Sequence, residues 1–336
     1  MRNKTNPVHR KSFAAALALS LALLFLAMPS APGENAPLKK AGFMPQWEPQ
    51  AQFAGYYVAL KKGIYEKHGI ELTLINGGPD FSPRDFLKDG KVDFATLWLS
   101  TGIKQRVAGL KLVNIAQIVQ KSSLMLIAKK KSGINVPGDM NNKKIGLWDN
   151  IYQVQPKAFF KKYDLDVEIV PQSYTVNLFL RDGVDVASAM WYNEYHTILN
   201  YGYDPDELST FFYHDHGLNF PEDGIYALED TFNKDPELAR AFVKASLEGW
   251  VYAFGHPEEA VDIVMQYMKD AHIPANRAHQ EWMFEKVKEL IVADNSVPMG
   301  ELRRSDYEKV AEVLLESGVI KEIPPFNQFY RDCRKK

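Results

Sequence analysis

One run of residues occurs twice in this chain. Residues 86-FLKDGKVDFATLW-98 and 179-FLRDGVDVASAMW-191 both read Phe-Leu, a basic residue, Asp-Gly, a Val-Asp pair, then small and apolar residues up to a tryptophan. Asp89 and Asp182 stand 93 positions apart (182 − 89). Each copy has the pattern of a helix end, a tight turn and a buried strand. Each also occupies the same place in a longer alternation. In the first run a helix over 56–68 leads to a strand at 70–75, a turn-rich loop at 77–83 and a strand at 91–97; a helix at 101–109 and a strand at 123–130 follow. In the second, a strand at 143–149 leads to a helix at 153–162, a strand at 166–172 and a strand at 184–191. Helices alternating with strands predict a parallel-rich α/β sheet, and the duplication predicts two such lobes. Asp-Gly turns are common, so chance likeness is the competing explanation. If the repeat is structural, each copy ends at the carboxyl end of a strand, where open α/β sheets bind ligands. Two such ends facing each other make a cleft.

The N-terminus is different in kind. Arg2, Lys4, Arg10 and Lys11 precede the uncharged run 12-SFAAALALSLALLFLAM-28, and 29-PSAPGENAP-37 is rich in Pro and small residues. That order predicts a signal peptide over residues 1–36, cleaved after Gly33 or Ala36. The run also approaches the length of a membrane anchor. No cysteine follows it, and Cys333 is the single cysteine, so neither a lipid anchor nor an internal disulfide is expected. The formal net charge is −2, with no basic stripe to hold a phosphate backbone, so nucleic acid is not an expected partner. The expected product is a soluble exported monomer.

Candidate ligand-binding residues cluster in loops at predicted strand ends. In 45-PQWEPQAQFAGYY-57 two prolines stiffen a loop entering a helix, offering Trp47, Gln52, Phe53 and Tyr56. Trp98 and Ser100 follow the first repeat strand, Trp148 and Tyr152 follow the strand at 143–149, and Trp191, Asn193 and Glu194 follow the second repeat strand. Glu222 and Asp223 precede the strand at 224–228, where the chain is expected to recross between lobes. Each tryptophan taken alone reads more readily as core than as a ligand contact. Four of them on two walls predict a sandwich, Trp47 and Trp98 against Trp148 and Trp191, around a flat ring. His214 and His216 would fall on one side of an extended chain, but no third ligand accompanies them and no metal is expected. No nucleophile motif, phosphate-cradling glycine loop or Cys/His pair is present, so no catalytic residue and no cofactor is assigned.

With these residues in place, the chain resembles the substrate-binding proteins of ABC importers in the NMT1/THI5-like branch. The likeness is carried by 47-WEPQAQFAGYYVALKKGIYEKHGIEL-72, 90-GKVDFATLW-98, 117-QIVQKSSLMLIAKKKSGI-134 and 136-VPGDMNNKKIGLW-148. It implies a two-lobed periplasmic-binding-protein fold (type II), α/β, with the lobes hinged by crossover strands at 124–130 and 224–228. Lobe 1 would be 37–130 plus 223–336, lobe 2 would be 131–222, and the hinges would fall near 129–132 and 222–225. The resemblance also implies a periplasmic location, a small-molecule ligand, and a permease with its ATPase as partners. Some members are thiamine pyrimidine synthases with a lysine and a histidine for pyridoxal phosphate chemistry. This chain has Leu97 and Thr101 at those places and lacks their cysteine-rich run, which argues against an enzyme. Other members bind sulfonates or nitrate-like anions. The loops here carry aromatic, amide and acidic residues rather than arginine, which points to an aromatic heterocycle such as a thiamine pyrimidine precursor or riboflavin.

Overall fold

The two copies of the repeat build the same corner of two sheets. The computed structural model describes Met1 and residues 37–294 and 296–335, so the expected signal peptide lies outside the described residues. Ten strands are assigned among them: β1 (Lys39–Met44), β2 (Ile70–Leu74), β3 (Phe94–Trp98), β4 (Leu112–Gln117), β5 (Leu124–Lys129), β6 (Lys144–Leu147), β7 (Glu168–Pro171), β8 (Val186–Met190), β9 (Leu208–Phe212) and β10 (Asp223–Leu228). They form one sheet in the order β2-β1-β3-β10-β4 and another in the order β7-β6-β8-β5-β9. Helices flank both, so the α/β class read from the alternation holds. No helix among the described residues is long and apolar enough to cross a membrane.

The sheets match strand for strand. β2, β1 and β3 run parallel, as do β7, β6 and β8. Next to each parallel trio lies an antiparallel strand, β10 beside β3 and β5 beside β8. The chain passes between sheets twice, through residues 118–123 and 213–222. β5 therefore pairs entirely within the second sheet. That corrects the sequence-based division, which gave 124–130 to the first lobe and treated it as the crossover. A strand fully buried and hydrogen-bonded on both sides is part of a sheet, and the passage precedes it.

The repeated Val-Asp pair has one physical job in both places. Asp93 accepts the Gly42 N–H at 2.8 Å and donates its own N–H to the Gly42 carbonyl at 2.9 Å. Asp185 does the same with Lys144, at 2.9 Å in each direction. Each aspartate thus clamps its strand to the neighbouring parallel strand, β1 or β6. The Asp-Gly turns before them differ by one residue, so Asp93 to Trp98 spans the interval from Asp185 to Met190, not to Trp191. One residue decides which face a side chain takes.

The loop at 45–53 is anchored from behind. Helices Ala54–Lys61 and Pro236–Gly255 approach so closely that a β-carbon on Gly55 would lie 2.2 Å from the Trp250 ring. Tyr56 packs there, with ring centroids 4.8 Å from Phe43 and 5.8 Å from Trp250, and Phe53 is fully buried in the same cluster. Pro236 opens its helix behind Asp235, whose carboxylate accepts the Leu238 N–H at 3.0 Å, as the Asp-Pro pair predicts.

Asp93→Ala and Asp185→Ala should each lower stability by about 1–2 kcal/mol in chemical denaturation, since each removes a charge-assisted bond to backbone. Asp89→Ala, which removes only an exposed contact with Lys91, should change it by less than about 0.5 kcal/mol. Equal losses at Asp89 and Asp93 would show that the turn, not the clamp, is what the repeat preserves.

Candidate functional site

The carboxyl ends of both parallel trios meet around the start of β10. Because β10 runs antiparallel to β3, Asp223 sits opposite Trp98, the last residue of β3. Gly224 follows, where a β-carbon would lie 2.5 Å from the Asn114 amide nitrogen and 2.7 Å from the Gln117 amide oxygen. Those amides form a buried floor. Asn114 Nδ2 donates to Gln117 Oε1 at 3.1 Å, and Gln117 Nε2 donates to the Glu222 carbonyl at 2.8 Å.

Glu222 and Asp223 are both buried, at 1% and 3% exposure, and as neighbours in extended chain they point opposite ways. Glu222 turns to the other crossing. It accepts the Ser123 N–H at 2.5 Å, the Ser123 hydroxyl at 2.9 Å and the Ser122 hydroxyl at 3.3 Å. Asn219 adds to the same tie, accepting the Ser122 N–H at 2.8 Å and donating to the Gln120 carbonyl at 3.1 Å. Asp223 turns to the loop after β1, where the Gln46 side-chain amide donates to one oxygen and Gln52 Nε2 to the other at 2.6 Å. The Gln46 N–H is itself fixed on Thr96 Oγ1 at 2.8 Å. Burial pushes the Glu222 carboxyl up to about 8, with repulsion from Asp223 adding to it. Burial also pushes Asp223 up to about 7, against the pull of Gln52 and Gln46. Among the described residues no lysine, arginine or histidine pairs with either.

Aromatic rings from the two halves close over this acid. Trp98 meets Tyr152 edge to face, with centroids 4.8 Å apart, and Tyr152 also meets Trp148 at 6.4 Å. Trp47 lies edge-on to Tyr174 at 5.0 Å. Trp148 is held by its indole N–H, which donates to the Ser173 carbonyl at 3.0 Å. Tyr152 has its phenol pushed up to about 12, first by burial and then by Asp223, Tyr174 and Glu222. Tyr192 is buried, and burial together with Glu222, Asp223, Glu194 and Tyr152 raises its phenol. The walls are therefore aromatic and the floor acidic.

Several expected residues sit elsewhere. Phe53 and Tyr56 belong to the core behind the loop, and Ser100 is buried in the first turn of the helix Leu99–Val107. Trp191 makes its contacts apart from those rings. It lies one residue past the place equivalent to Trp98, with Lys286 Nζ 4.5 Å above its ring and the edge of Phe212 at 5.5 Å. Met190 takes the equivalent place, and Tyr192, two residues on, reaches the acids instead. Glu194 is buried, but its carboxylate closes the end of β8 by accepting the Met190 N–H at 2.9 Å and the Asn193 amide at 3.0 Å. Asn193 in turn accepts from His279 Nε2 at 3.0 Å. His214 and His216 lie on a tight 3-10 turn, one on the Ser122 carbonyl at 2.9 Å and the other on the Tyr163 hydroxyl at 2.6 Å. No group of three or more metal-binding side chains occurs among the described residues. Sequence reasoning missed Gln46, Tyr192 and Tyr174. The alternation that leads from Met190 to Tyr192 was the available signal for one of them.

A carboxyl whose pKa is raised on folding destabilises the fold wherever it is ionised. Glu222 contributes its full stability below its ordinary value of 4.5 and loses it as the pH rises through about 8. Glu222→Gln keeps an acceptor and gains a donor for Ser123. It should therefore be more stable than the parent by about 2–4 kcal/mol above pH ~9, and the difference should vanish below pH ~5. Thermal denaturation across that range checks it, and a difference independent of pH would contradict the assignment.

The chain is similar to several known proteins. Riboflavin-binding protein RibY of Chloroflexus aurantiacus is 27% identical over 252 residues, 72% of this chain and 70% of its own. The formylaminopyrimidine-binding protein of Halalkalibacterium halodurans is 22% identical over 91% of this chain and 96% of its own. A pyrimidine phosphate synthase of Schizosaccharomyces pombe is 24% identical over only 45% of this chain and 42% of its own. Among solved structures, the periplasmic aliphatic sulphonate binding protein SsuA of Escherichia coli superposes with a TM-score of 0.67 at 13% identity, over 87% of this chain and 97% of its own. That likeness identifies the fold as the periplasmic-binding-protein fold. The NMT1/THI5-like family model matches residues 50–260, and the chain belongs to that family.

Proposed function

We propose that this chain is an extracytoplasmic solute-binding protein. It would hold a small flat heterocycle between its two lobes and pass it to a permease and ATPase of the ABC importer type. The observation that carries this reading is Asp223, a buried carboxylate met only by amide donors and placed beneath rings from both halves. A carboxylate in such a place gains most from a ligand that brings N–H groups or a positive charge. Aromatic faces add stacking, worth about 0.5–1.5 kcal/mol per pair. An aminopyrimidine or an isoalloxazine offers both a flat face and a donor edge. The names of the two binding-protein relatives, riboflavin and formylaminopyrimidine, agree with that chemistry. A sulfonate would meet the buried Asp223 carboxylate, and among the described residues no lysine, arginine or histidine pairs with it.

The synthase reading has less support. Leu97 is buried within β3, and Thr101 lies in the helix that follows, so neither place carries the lysine or histidine that reaction uses. Its match also covers less than half of the chain. Binding without turnover is the better account. The two crossings at 118–123 and 213–222, tied by Glu222 and Asn219, are the natural hinge for closure.

Two measurements test this. Denaturing the purified native protein and identifying what it releases by mass spectrometry should yield a planar nitrogen heterocycle, unchanged after prolonged incubation. A sulfonate, or conversion of the released compound, would overturn the reading. Against the identified compound, Tyr152→Ala should weaken binding by about 30-fold, near 2 kcal/mol, as loss of a central aromatic contact does. Unchanged affinity would remove Tyr152 from the site.

A further inference from the structure

The two halves also touch through a second pair of helices. The helix Glu194–Asn200 follows β8 of the second sheet, and the helix Arg277–Ile291 packs its buried face into the core of the first. Three contacts join them. Trp282 Nε1 donates to the Trp191 carbonyl at 3.1 Å, His279 Nε2 meets Asn193 Oδ1 at 3.0 Å, and His196 Nδ1 meets His279 Nδ1 at 2.9 Å. The His196 ring is also stacked on Trp282, 4.9 Å away and 11° from parallel.

The proton count follows from the partners. Asn193 Nδ2 donates to Glu194, so Asn193 turns its oxygen to His279, and His279 Nε2 must carry a hydrogen. Between the two facing Nδ1 atoms there is room for one hydrogen; in the neutral pair His196 donates it, because His279 carries its own on Nε2, and only a protonated His279 donates it instead. The pair can thus be neutral or carry one extra proton. When both rings are imidazolium, both Nδ1 atoms are donors, two positive charges face each other, and the contact cannot persist.

We infer that His196 and His279 form a pH-sensitive latch between the two halves, which holds them together near neutral pH and releases them in acid. The groups around the pair do not compensate the second charge. Glu194 is reached only through Asn193 and is committed to the end of β8. Lys286 lies over Trp282 and Trp191 and adds positive charge. Arg277 and Glu281, on the same helix, pair with each other, and Arg277 also pairs with Asp262. Asn200 offers only an amide, 3.3 Å from His196 Nδ1. Burial, then His196, holds His279 down at about 4, and burial lowers His196 as well.

The sign is fixed by linkage. Separated rings take up protons near the ordinary imidazole value of about 6.5, whereas the joined pair resists the second proton. The latch is at full strength above that value and is lost as the pH falls toward 4. The closed-to-open ratio should drop about tenfold per pH unit in that window, one proton being taken up on opening.

The test reads shape without any ligand, so it is independent of what the cleft binds. Small-angle scattering of the ligand-free full chain from pH ~7.5 to pH ~4.5, with circular dichroism confirming a folded chain, should show expansion in the parent. His279→Gln keeps neutral amide contacts to both neighbours and should stay compact. His196→Phe keeps the stacking on Trp282, removes the shared hydrogen, and carries the same comparison if the first variant does not fold. Expansion of the variants over the same range as the parent would overturn the latch. So would a parent already open at neutral pH, or one that stays compact in acid.

Discussion

Glu222 ties the two crossings of the chain to each other, and the candidate site depends on that tie. Its carboxylate lies on the return crossing and takes its hydrogen bonds from Ser122 and Ser123 on the outward one. A buried carboxylate is tolerated only when its oxygens are satisfied, and here backbone and hydroxyl donors do that without a cation. The next residue, Asp223, must then point the other way, toward Gln46, Gln52 and the ends of β1 and β3. One short segment thus ties the two crossings together and holds the loop after β1. The division of labour explains why two adjacent acids, alike in sequence, differ in role.

Much of the architecture was legible because it is written twice. The Phe-Leu, Asp-Gly, Val-Asp pattern led to two α/β lobes, and Asp93 and Asp185 make the same clamp in each. The site was legible only in part. Counting from Asp-Gly aligned Trp98 with Trp191, but the turns differ by one residue. The clamping aspartates align Trp98 with Met190, so Trp191 packs against Lys286 and Phe212 and does not take the place of Trp98. Phe53 and Tyr56 looked like loop residues, whereas the contact of Gly55 with Trp250 pulls their segment into the core. That contact joins positions nearly two hundred residues apart, and no local pattern announces it. The His196–His279 pair is hidden for the same reason.

The molecule carries two sets of titrating groups with opposite signs. The buried carboxyls at Glu222, Asp223 and Glu194 hold protons more readily in the folded chain than when exposed, so acid favours the folded state through them. The facing imidazoles hold protons less readily when joined, so acid favours their separation. A ligand that brings a positive charge or donor groups to Asp223 would stabilise the ionised carboxylate and favour closure at neutral pH, where the histidine latch is also strongest. Binding and latching would then act in the same direction at neutral pH and weaken together in acid.

On the proposed function the Asp223 carboxylate, not a cation, selects the ligand. Calorimetric titration of the parent and of Asp223→Asn with an aminopyrimidine, with riboflavin and with an alkanesulfonate tests it most directly. The parent should bind one of the two heterocycles and not the sulfonate. Asp223→Asn should lose about 10- to 100-fold in affinity for that heterocycle, the range for a charge-assisted hydrogen bond. Binding of the sulfonate by the parent, or an Asp223→Asn variant with undiminished heterocycle affinity, would contradict it.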